Sequence, residues 1–116
     1  MGTYCGYCRA IRVGNVVEVA GTTAIIDGVI IGKGNAYLQA IQILKTIEEA
    51  LNEVGARMHD VVRTRMFVTD ISKWEEIGRA HGEYFQDIRP VATLVEVKAL
   101  IDPDLLVEIE VQAIIG

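Results

Sequence analysis

Cysteine, proline and cationic side chains are all scarce in this chain of 116 residues. Its two cysteines, Cys5 and Cys8, cannot make the disulfide framework of a small secreted domain. Two prolines and scattered glycines leave no flexible linker, so a single domain over residues 1–116 is expected. Lys and Arg number 11 against 16 Asp and Glu, a formal net charge of -5. That balance argues against a nucleic-acid partner, whose phosphates call for clustered cations. No run approaches the roughly 20 apolar residues of a membrane span, so no membrane partner is expected either. No basic segment leads into an apolar run at the N-terminus, and the expected compartment is the cytoplasm. Hydrophobic residues, by contrast, make up 51% of the chain. A chain of this length and composition can bury about two-thirds of its unfolded surface.

The cysteines stand as Cys5-Gly6-Tyr7-Cys8, a C-x-x-C pair. A working thiol pair needs a lowered thiolate pKa, usually from a helix N-terminus, and this pair precedes a strand instead. No second pair completes a zinc site, and neither His59 nor His81 stands at ligand spacing from it, so no metal is expected. Gly28, Gly32, Lys33 and Gly34 superficially resemble a phosphate-binding loop. The spacing G-x-x-x-G-K-G is one residue short and lacks the following Ser or Thr, which leaves a glycine-rich turn before a helix.

Residues 9–13 and 16–20 read as strands joined at Gly14-Asn15, with a further extended piece at 29–31. Over 36–54, Leu38, Ile41, Leu44, Ile47, Leu51 and Val54 recur at spacings of three and four and predict an amphipathic helix. Asn35 is its expected N-cap and Gly55 its stop. A strand is expected over 61–69 and a second helix over 73–86, with Trp74, Ile77, His81, Tyr84 and Phe85 on its buried side. Two strands, 93–98 and 106–115, close the chain around the turn Asp102-Pro103-Asp104. The order βββαβαββ predicts an α+β two-layer domain, with two helices covering one face of the sheet.

Strand alternation divides the residues between the two faces of that sheet. Val17, Val19, Val62, Met66 and Val68 are expected under the helices, with Val95, Val97, Val107, Ile109, Val111 and Ala113. Arg12, Glu18, Arg63, Arg65, Glu96, Glu108, Glu110 and Gln112 fall on the opposite face, together with Phe67, Leu94 and Ile114. A solvated antiparallel face and a subunit interface with paired charges both fit this pattern.

Arg89-Pro90-Val91-Ala92-Thr93-Leu94-Val95-Glu96-Val97, followed by Val107-Glu108-Ile109-Glu110, resembles the signature of the RidA/YjgF/L-PSP family. Tyr7 with Arg12-Val13-Gly14-Asn15, then Val19-Ala20-Gly21 and Arg63 to Asp70, is similar to further family segments in the same order. The resemblance implies a mixed, mainly antiparallel sheet in a chorismate-mutase-like homotrimer, with ligand pockets between neighbouring subunits. The best-understood members hydrolyse enamines and imines of amino acids to 2-keto acids and ammonia without a cofactor. Others are described as ribonucleases, translation inhibitors or small-ligand binders.

Carried over position by position, the resemblance makes Glu108 the catalytic carboxylate, able to orient and deprotonate a water. It lines the ligand pocket with Tyr7, Gly21, Ala92 and Thr93. The family's hallmark arginine is Ala92 here, its serine is Ala20, a common cysteine is Leu94 and a polar residue on the second helix is Gly78. A guanidinium grips a carboxylate through paired charge-assisted hydrogen bonds, which alanine cannot replace. Weak or absent hydrolysis of 2-imino acids is therefore expected, unless Arg89, Arg63 or Arg65 supplies the charge from another direction. The implied partners are further copies of the chain and a small carboxylate or imine-like ligand.

Overall fold

The alternating strands assemble into one five-stranded sheet in the computed structural model, which describes residues 8–116. Cys5 and Tyr7 lie outside the described residues. The strands are β1 (Ala10–Val13), β2 (Val16–Thr22), β5 (Val61–Val68), β6 (Val91–Glu96) and β7 (Val107–Ile114). Their spatial order is β1-β2-β7-β5-β6. All neighbours are antiparallel except β5 and β6, which are parallel and joined through the second helix. The helices are α1 (Ala36–Glu53) and α2 (Trp74–Phe85), and the fold is α+β with two helices on one side of a mixed sheet.

A separate hairpin, β3 (Ile25–Ile26) with β4 (Val29–Ile30), stands where a single extended piece is expected. Its turn is Asp27-Gly28, with φ of 51° and 80°. Two left-handed residues in a two-residue loop match the twist of a hairpin, and Asp-Gly is a preferred pair for it. The dipeptide signal was present, but the strands flanking it are only two residues each.

Helix α1 begins where Asn35 accepts a hydrogen bond from Leu38 N at 2.9 Å, and the chain leaves it through Gly55 at φ 85°. Ile43, Leu44, Ile47 and Leu51 are fully buried against the sheet, each contributing about 1.5–3 kcal/mol of hydrophobic stabilisation. Leu38, expected in this stripe, is 46% exposed, and Gln39 is buried in its place. The Gln39 side-chain amide donates to Gly32 O (3.3 Å) and Asp104 O (3.0 Å) and accepts from Leu106 N (2.8 Å). It thereby ties the loop before α1 to the entry of β7. In α2, Ile77 and Phe85 are buried as expected, whereas Trp74 is 56% exposed because the chain enters the helix through a 3-10 turn over Ile71–Lys73.

Several side chains lie on the opposite face from the one expected. Val62 is exposed because a register shift between Val61 and Arg63 makes it the extra residue of a bulge, and Val61 takes the buried place. In β6 the phase is inverted: parallel pairing sets Leu94 beside Met66 and Val95 beside Phe67. Leu94 therefore packs towards the core, Val95 faces away from the helices, and Glu96 lies on the helix side, where it accepts from Ile71 N. Arg12 is also on the helix side, paired with buried Val17, and its guanidinium donates to Val54 O at 2.9 Å. A cation there complements the exposed carbonyls at the end of α1.

Candidate functional site

The face of the sheet away from the helices carries both charge and apolar surface. Arg65 pairs with Glu110 at 3.1 Å, and Gln112 donates to Glu18 at 2.6 Å. Around these pairs Ile11, Val13, Val16, Val91, Val95 and Ile114 are exposed. A cavity of about 330 Å³ opens between the strands, lined by Cys8, Ile11, Glu18, Ala20, Arg65 and Glu110 with parts of Val19 and Val111. Cys8 is a free, exposed thiol at its edge.

Glu108 stands on the same face, next to this cavity and outside its lining. Its carboxylate rests against Gly21, where the pairing of β2 with β7 is irregular between Val19 and Thr22. A Cβ at Gly21 would overlap Oε2 and come within 3.0 Å of Cδ, so glycine is what admits the carboxylate here. Burial, and then the like charge of Glu110, raises the Glu108 pKa above the ordinary carboxylate value. No cation among the described residues is paired with it. A carboxyl group held this way is suited to exchange a proton with a bound molecule or water.

The other candidate residues are dispersed within one chain. Thr93 lies on the open face of β6 beside Arg65, with β5 between it and β7. Ala92 points to the helix side, beside Thr64. Arg89 is exposed at φ 58°, with Nε donating to Gln86 O at 3.3 Å. Tyr7 lies outside the described residues. Arg63 and Arg65 project from the face opposite Ala92, where Arg65 is engaged by Glu110. One chain thus brings together Glu108 and Gly21 and leaves Thr93, Ala92 and Arg89 apart from them.

His81 is half-buried between α2 and the sheet, with Nε2 at 2.8 Å from Thr64 Oγ1 and its ring 4.7 Å from that of Phe85. Thr64 is not among the candidates expected from the sequence, and the signal for it is a threonine two places before Met66 on a buried alternation, a polar group needing a partner. Among the described residues, no group of three or more His, Cys, Asp or Glu is placed to hold a metal. Among the described residues, no helix is long and apolar enough to cross a membrane.

Residues 2–115 match the family model described as Endoribonuclease L-PSP. A RutC family protein of Pyrococcus abyssi is 34% identical over 106 residues, 90% of this chain and 82% of that one. The 3-aminoacrylate deaminase RutC of Acinetobacter baylyi is 31% identical over 104 residues, 89% of this chain and 82% of the relative. A crystal structure of a YjgF/YER057c/UK114 family member from Mycobacterium tuberculosis superposes with a TM-score of 0.89 at 48% identity, covering 98% of this chain and 91% of that one. Sequence motifs, sheet order and the full-length match agree, and the chain belongs to the RidA/YjgF/L-PSP family.

Proposed function

We propose that the chain forms a homotrimer through the open sheet face and binds a small molecule in the clefts between subunits. In this reading Glu108 and Gly21 of one copy meet the β6 edge of the next, bringing Ala92, Thr93 and Arg89 to the same cleft. The exposed apolar residues of a face that also carries the Arg65–Glu110 pair support the association. Tyr7 and Thr93 would complete the ligand's surroundings.

The observation that carries a chemical role is the Glu108 carboxyl, seated on Gly21 with its pKa raised and no cation paired to it among the described residues. Such a group can deprotonate or orient a water towards an electrophilic C=N carbon, without a metal or organic cofactor. The similarity to a 3-aminoacrylate deaminase makes an enamine or imine the natural class to test. With alanine at 92 and Arg65 engaged by Glu110, neither of these positions supplies a guanidinium for a substrate carboxylate. The protein is therefore a ligand-binding or divergent hydrolytic member, with weak or absent activity on 2-imino acids.

The test is imine hydrolysis by purified protein, comparing wild type with Glu108→Ala on substrates with and without a carboxylate. Little acceleration on 2-imino acids is expected, with any activity lost in the variant. Strong, Glu108-dependent turnover of 2-imino acids would instead favour an authentic deaminase in which Arg89, exposed just before β6, has taken over carboxylate binding.

A further inference from the structure

The parallel register of β5 and β6 sets Ala92 beside Thr64 and Leu94 beside Met66 on the helix side of the sheet. Thr64 and Met66 are buried, yet Ala92 is exposed and Leu94 only half-buried. The helix layer therefore stops short of β6 and leaves an open shelf along this edge strand. Thr64, the neighbour of Ala92 on β5, has its Oγ1 2.8 Å from His81 Nε2. The ring packs 4.7 Å from that of Phe85 and is held to Thr64 by the hydrogen bond, which together orient the imidazole. The second ring nitrogen, Nδ1, has no partner among the described residues and is not sealed from solvent.

We propose that His81, oriented by Thr64, is a recognition residue for an uncharged small ligand lying on this shelf. The charges nearby are already placed elsewhere. Arg63 and Arg65 belong to the opposite face, Arg79 stacks over Tyr37, and Arg89 turns Nε back onto Gln86 O. Glu96, also on the helix side, accepts from Ile71 N. Burial holds the His81 pKa below its ordinary value, so the imidazole is neutral at physiological pH and offers a hydrogen bond without a charge. A carboxylate placed against His81 would lose hydration and gain no charged partner from the neutral imidazole, whereas an amide or ketone carbonyl needs only the one hydrogen bond. Ala92 and Leu94 supply the apolar floor for a short carbon chain. This inference rests on the reading that a small molecule binds at the β6 edge, and it names what kind.

The experiment is imidazole nitrogen–proton NMR on the wild-type protein, in which His59, exposed in a 3-10 turn, is the internal control. The probes are two near-isosteric pairs, propionamide with propionate and pyruvamide with pyruvate. The amides are expected to shift the His81 ring signals saturably and leave His59 unmoved, with the carboxylates binding about tenfold or more weaker. Thr64→Ser, which keeps the hydroxyl, should retain the response, and Thr64→Val should lose it. Carboxylates that shift His81 as strongly as amides overturn the proposal, as does a ring that none of the four probes moves. In that last case the Gly21 amide signal separates the two ideas. A shift there leaves the cleft standing without His81, and silence removes both.

Discussion

The carboxylate of Glu108 occupies the space that a side chain at Gly21 would fill, so two strands are matched by one missing Cβ. The backbone at Gly21 does not have a left-handed φ, so alanine can adopt its conformation. Gly21→Ala should therefore cost little stability, about 1 kcal/mol or less, because the obstructing atoms are the end of a side chain that can rotate away. It should nevertheless displace the carboxylate and reproduce the ligand-binding and activity phenotype of Glu108→Ala. Urea denaturation alongside a binding or turnover assay checks this; wild-type function in a folded Gly21→Ala protein would show that the carboxylate's position is immaterial.

The raised pKa of Glu108 sets a direction for stability against pH. Its first cause is burial and its second the charge of Glu110, and both favour the protonated form in the folded chain. The stability linked to that proton is fully present below the ordinary value of 4.5 and is lost as pH rises through the higher folded value. Glu108→Gln keeps the shape of the protonated side chain at every pH. The variant should accordingly gain on the wild type as pH rises from 4 towards 7, followed as the gap between urea midpoints. A gap that does not change with pH would falsify the assignment.

Sequence pattern carried the fold as far as local periodicity reaches. Helix α1, its Asn35 cap and its Gly55 exit were legible, because caps and three-four spacing are written within a few residues. The β6 faces were not: Leu94 and Val95 are both apolar, and which one meets the core is decided by parallel pairing with β5, across the intervening α2. Val62 was misplaced by a bulge that alternation cannot reveal, and Arg12 because a long side chain on a strand can reach a helix end. Of the site, family motifs picked out Glu108 and Gly21, which do touch. Thr64 is not legible from local pattern, because its partner His81 lies seventeen residues on.

Gln39 is the polar group on which the loop end of the domain depends. Fully buried, it serves two carbonyls and one amide that belong to different segments. Gln39→Leu keeps the volume nearly constant but leaves Leu106 N, Asp104 O and Gly32 O to find other partners. The expected loss is about 2–4 kcal/mol, on the basis of 1–3 kcal/mol for each buried group left unsatisfied and partial access of water to the loop. Hydrogen exchange should localise the effect, with the Leu106 amide losing protection before the strand amides of β5 and β7 do.

The open face offers a separate test of association. Val95 and Ile114 are exposed in the single chain, at 41% and 47%, so a charge at either position costs the isolated subunit little. Buried in an interface without a partner, the same charge is costly, commonly by several kcal/mol per site. Val95→Asp and Ile114→Asp should each shift the protein from trimer to monomer in sedimentation velocity while preserving its circular dichroism spectrum. Glu49→Lys, on the exposed side of α1, should leave the trimer intact and controls for a change of charge alone. If both aspartate variants sediment as the wild type does, the subunits meet elsewhere, and the cleft between Glu108 and a neighbouring β6 would have to be abandoned with them.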